Sequence, residues 1–117
     1  MSVSTSLRAT PAPQHFERIA KNLLAKRQHR DYSTCDIKVN LKDGSHDLVH
    51  HMVVTIYSEY LSQTLANRRA PYPPINMQEF DAASVRRVFD WMYSGEINIP
   101  EREMANDLAV ASFLRVN

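Results

Sequence analysis

Hydrophobic residues recur along this chain with two different periods. Phe16, Ile19, Ala20, Leu23 and Leu24 fall at i, i+3, i+4, i+7 and i+8. That spacing predicts a helix over 14–27 with one apolar stripe, and Arg18, Lys21, Asn22 and Lys26 on its other face. From Cys35 to Lys42 the period becomes two. Ile37, Val39 and Leu41 alternate with Asp36, Lys38, Asn40 and Lys42, which predicts a half-buried strand. Asp43-Gly44 is a hairpin turn signal, because glycine tolerates positive φ, and residues 45–49 return as a second, less regular strand.

Two short helices are expected next. One covers 51–56, and the other is capped by Ser58 and carries Tyr60, Leu61 and Leu65. The stretch 67–74 holds Pro71, Pro73 and Pro74 and reads as a loop. Residues 75–77 suit a short strand. Asp81 caps a helix with Val85, Val88, Phe89 and Met92 inside, and Gly95 ends it. Ile97 and Ile99 alternate with polar neighbours as an edge-like strand. Pro100 opens a final helix whose expected inner face is Met104, Leu108 and Ala111. The whole is an α+β domain, a helical cluster flanked by a short three-stranded sheet plus an edge strand.

At 117 residues the chain is one domain with an ordinary globular composition, 44% hydrophobic and 23% charged. Residues 1–13 are rich in Ser, Thr and Pro and are expected to form a disordered tail, with the domain over 14–117. Apolar Phe113, Leu114 and Val116 near the end read as a domain truncated at its C-terminal side. A net charge of +1 offers no case for nucleic acid or membrane, although residues 1–30 hold six Lys/Arg against Glu17 alone. No apolar run approaches the roughly 20 residues that span a bilayer.

The densest chemistry is at Cys35, His46, His50 and His51. One cysteine excludes an internal disulfide and fits a reducing compartment. The spacing is poor for zinc: there is no second cysteine, and adjacent His50 and His51 would face opposite ways on a strand. Nothing marks Cys35 as a nucleophile, and with only Gly44 and Gly95 the chain has no glycine-rich phosphate loop. The paired arginines 68–69 and 86–87 form no basic stripe with interleaved aromatics. No catalytic residue, metal or cofactor is expected. Tyr57, Tyr60, Tyr72 and Tyr93 gather around Ser58 in sequence and suit either a protein interface or the rim of the core.

Four stretches resemble the BTB/POZ family: CDIKV at 35–39, VHHMVVTIYSEYL at 49–61, VFDWMYSGEINI at 88–99 and DLAVASFLRV at 107–116. The helix upstream of Cys35 resembles that of long-form members, the kelch-like and zinc-finger kinds. The resemblance implies a non-enzymatic interaction domain that homodimerises, in the cytoplasm or nucleus. Phe16, Ile19, Leu23 and Leu24 are then candidate dimer contacts, though the same stripe can pack on its own domain or do both. A charged pocket is implied at Asp36 and His51. In kelch-like substrate adaptors of ubiquitin ligases the Ser-x-Tyr-Phe helix and the loop after it dock the third cullin. That places a partner surface at Tyr57, Tyr60, Leu61, Thr64, Leu65 and Tyr72. The alternative is a zinc-finger transcriptional regulator that binds corepressor peptides. Two departures stand out. Asp47 occupies a slot where members usually have Phe, which predicts a shifted second strand with Leu48 supplying the apolar contact. The loop at 67–74 also lacks the aliphatic-x-Glu of many cullin-binding members.

Overall fold

A computed structural model describes residues 12–29 and 34–116. Residues 1–11, most of the expected tail, lie outside it. Helix α1 runs Ala12–Gln28, two residues earlier than its stripe required. Strands β1 (Ile37–Asn40) and β2 (His46–Val49) form an antiparallel hairpin, with Ile37 opposite Val49 and Val39 opposite Asp47. Gly44 takes φ 85° at the turn. Helices α2 (His51–Tyr57) and α3 (Glu59–Thr64) follow. Strand β3 (Ile75–Asn76) adds in parallel to β1, giving the sheet order β2-β1-β3. Helix α4 (Ala82–Ser94) is capped by Asp81 and closed by left-handed Gly95, whose N–H reaches Trp91 O at 2.8 Å. A 3₁₀ turn (Glu101–Glu103) leads into α5 (Met104–Leu114).

The buried core joins both periodicities. Ile37, Val39 and Val49 from the hairpin meet Val85, Val88 and Phe89 of α4, with Leu61, Val110 and Leu114 behind them. Ser58 is fully buried and works twice. Its Oγ accepts from Leu61 N at 3.0 Å, capping α3, and donates to Leu114 O at 2.6 Å, tying α3 to the end of α5.

Three expectations are corrected. The edge strand at Ile97 and Ile99 does not form: residues 96–99 are irregular and, among the described residues, have no strand beside them. Two alternations are too few to hold a strand without a partner. Pro100 precedes the 3₁₀ turn instead of opening the helix itself. The inner face of α5 is rotated as well. Met104 and Leu108 are exposed, and Asp107, Val110 and Leu114 point inward. The cause is electrostatic. Asp107, 2% exposed, meets the Arg87 fork in two hydrogen bonds of 2.7 and 2.8 Å, and this bidentate pair sets the rotation of α5 on α4.

The Arg87 hydrogen bonds hold the Asp107 carboxyl below the usual aspartate range. Its contribution to stability is full above the unfolded pKa of about 3.9 and is lost as pH falls through the lower folded value. Asp107→Asn is expected to cost about 3 kcal/mol at pH 7. In urea titrations at several pH values the variant and wild type should converge as pH falls through the folded Asp107 value.

Candidate functional site

The α1 stripe divides between two roles. Leu23 and Leu24 pack against the core of their own chain, while Phe16 (66% exposed) and Ile19 face outward. Opposite them, α2 presents Met52, Ile56 (75% exposed) and Tyr57. Met52 and Ile56 stand four residues apart and so share one side of a short helix. The two helices flank an apolar groove of about 420 Å³, floored by Val53, Met92 and Tyr93. Five of the nine large apolar side chains exposed among the described residues line it. A concentration of this kind marks an interaction surface. Met52 and Ile56 were missed in the sequence. The signal was there: apolar residues occupy nearly every position of 52–56, more than one helix face can bury.

Beneath the groove α1 is held by charge. Arg27, 4% exposed, gives Nη2 to Asp47 of β2 and Nη1 to Asp90 of α4. Its guanidinium lies 5.5 Å from the Tyr93 ring centroid and 6.0 Å from that of Phe89. This arrangement accounts for Asp47 in a slot expected to be apolar. Asp47 stands opposite Val39, its second oxygen accepts from Leu48 N at 3.0 Å, the arginine answers its charge, and Leu48 is buried beside it. Asp90, whose side chain is partly open, has its carboxyl pushed above the usual range, because its partial burial, with the nearby Asp47 charge, outweighs the pull of Arg27.

Asp36 and His51 do come together. The His51 backbone N–H donates to Asp36 Oδ1 at 2.8 Å, and His51 Nδ1 lies 3.9 Å from Asp36 Oδ2. Asp36 thereby caps the first turn of α2, a role His50 at the N-cap does not fill. Both side chains are partly open to solvent. Tyr72 stacks on His51 with ring centroids 4.8 Å apart, so its contact is with this pair.

The expected partner surface on α3 is corrected in part. Leu61 and Leu65 are buried in the core and anchor the segment, so neither is presented to a partner. They fall on the inward side of the helix once Ser58 is fixed to Leu114. Thr64 is exposed, and Tyr60 is partly buried against Phe113 at 4.8 Å, with Phe80 on the far side of Phe113 at 5.1 Å. Tyr57 belongs to the groove and meets Trp91 edge-on at 5.4 Å. Tyr93 is no surface tyrosine. Its hydroxyl accepts from His50 N at 2.9 Å and lies 2.8 Å from His50 Nδ1, and burial holds its pKa far above the usual phenol value. His50 is itself buried, with Nε2 3.1 Å from Thr34 Oγ1 and 3.7 Å from Cys35 Sγ.

The BTB/POZ domain family model matches residues 25–117, and the chain belongs to this family. BTB/POZ domains are protein-interaction modules that typically dimerise, and the family is not one of known enzymes. Among curated proteins, the chain is 29% identical over 83 residues to Protein bric-a-brac 1 of Drosophila melanogaster, covering 70% of this chain and 8% of that one. Against Protein tramtrack, alpha isoform, of the same species, it is 24% identical over 74 residues, covering 63% and 9%. It therefore spans less than a tenth of these relatives. The fold is that of the BTB domain of zebrafish PATZ1 (TM-score 0.75, 17% identity) and of the BTB (Tramtrack and Bric a brac) domain of human Gigaxonin (TM-score 0.71, 24% identity). Each likeness covers 92% of this chain and 86% of the other. Among the described residues no helix is long and apolar enough to cross a membrane.

Because the folded state raises the Asp90 pKa, its ionisation opposes folding as pH rises through the folded value; the penalty is absent below the unfolded pKa. Asp90→Asn retains an acceptor for Arg27 and is expected to raise the thermal midpoint at pH 7. The gain should vanish below about pH 4, as read by differential scanning calorimetry across pH.

Proposed function

We propose that this chain is a homodimerising interaction domain that pairs with a second copy through the face built by α1 and α2. The observation that carries the reading is the groove flanked by Phe16, Ile19, Met52 and Ile56: large apolar side chains gathered on one face, beside a helix already anchored to its own core. Burial against an identical face under two-fold symmetry would remove all of them from water. Size-exclusion chromatography with light scattering at micromolar concentration should give twice the chain mass. Phe16→Asp with Ile56→Asp should give a folded single-copy species, because both side chains are exposed and their loss leaves the core intact. A wild type that stays single at every concentration removes the reading.

For the full protein, the resemblance to kelch-like members supports a substrate adaptor of a cullin-based ubiquitin ligase, acting in the cytoplasm or nucleus. The partly exposed cluster of Tyr60, Phe80 and Phe113 supports a second surface for the third cullin's N-terminal domain. Arg68 and Arg69 in the following loop mean that contacts there would differ from those made through a glutamate. The alternative is a transcriptional regulator that holds a corepressor peptide at the dimer seam, and the apolar groove supports it. Calorimetric titration separates the two. Adaptor function requires binding of the cullin-3 N-terminal domain and its loss in Tyr60→Ala. No cullin binding, with capture of a corepressor peptide by the dimer, establishes the alternative.

A further inference from the structure

Helix α1 is a lever held at one end. Its last turn carries Arg27, and Phe16 lies eleven residues back along the helix. At 1.5 Å per residue that separation is about 16 Å, so a tilt of about 20° at the Arg27 end would carry Phe16 through about 6 Å. The groove beneath Phe16 and Ile19 is walled by α1 on one side and α2 on the other, so its shape follows the angle between them.

Three features of the Arg27 cluster suit it to setting that angle. The fork spends its two arms on different elements, Nη2 on Asp47 of the hairpin and Nη1 on Asp90 of α4, so its plane is fixed at two points. The apolar contacts of Leu23 and Leu24 beside it are non-directional and would allow α1 to roll. The cluster is also a poor way to gain stability: among the described residues Arg27 Nε is buried with no hydrogen-bond partner, and Arg27 is hydrogen-bonded to two carboxylates at once. A buried ion pair commonly adds little over apolar packing, and its best-attested use is to specify register.

We propose that Arg27 is a positioning residue for self-association: held by Asp47 and Asp90, it sets the angle of α1 and so the shape of the seam offered to a second copy. This rests on the homodimer reading above. Asp47 is the residue that completes the device, since an apolar side chain in its place would leave the arginine one arm short.

The test replaces the directional contact with packing. Arg27→Met/Asp47→Leu removes the pair and keeps the volume, and Asp90 is open enough to be hydrated. The double variant is expected to stay folded, with α4 amides protected as in wild type. Its dimer dissociation constant, measured by sedimentation velocity, should rise at least tenfold, and hydrogen exchange across residues 14–28 should quicken. Arg27→Lys keeps the charge and the stem but not the fork, and should move both readouts the same way if the double variant fails to fold. Asp47→Asn keeps an acceptor for Nη2 and should self-associate within threefold of wild type. A double variant that dimerises like wild type, or an α1 equally protected without the pair, overturns the proposal while the homodimer stands. A wild type that never dimerises removes the homodimer reading instead.

Discussion

A guanidinium sunk among aromatic rings has to find negative charge, and Arg27 finds it on two elements distant in sequence. Asp47 comes from the hairpin and Asp90 from α4, so one side chain of the first helix is bonded to both layers of the domain. Leu23 and Leu24 add apolar contact alongside, but they impose no direction. With α1 held this way, Phe16 and Ile19 stand above α2 and the groove is formed. The apolar face between α1 and α2 is thus supported from below by charge.

The same logic recurs at the other end of the chain. Arg87 and Asp107 dock α5 on α4, and Ser58 ties α3 to the last carbonyls of α5. Because Asp107 has to face Arg87, Val110 and Leu114 turn inward with it, while Met104 and Leu108 are left outside. Apolar side chains on a helix accept many packings of similar energy. A bidentate carboxylate–guanidinium pair accepts few, so the polar residue chooses the rotation and the apolar ones follow.

Two surfaces emerge with different character. The groove between α1 and α2 is apolar and open. The Tyr60–Phe113–Phe80 cluster is smaller and aromatic, with Thr64 exposed on the same helix. Tyr93 and His50 bond to each other beneath the groove, one on α4 and one at the start of α2, and keep those helices in register.

Much of this was legible in the residue pattern. The period-3.6 stripe of α1, the period-2 run at Ile37, Val39 and Leu41, the turn at Gly44, the Ser58 and Asp81 caps and the stop at Gly95 all act locally, within a few residues of themselves, and each appears in the fold. What the pattern left open depends on groups far apart in the chain. Leu61 and Leu65 look like any amphipathic pair until Leu114 settles which side of α3 is inside. Asp47 looks misplaced until Arg27, twenty residues earlier, is brought against it. Ile97 and Ile99 alternate like a strand, yet among the described residues no neighbour comes to pair with them. Local backbone preferences and caps are written in adjacent residues; the partner of a charge, the rotation of a helix and the existence of a strand are fixed by what folding carries next to them.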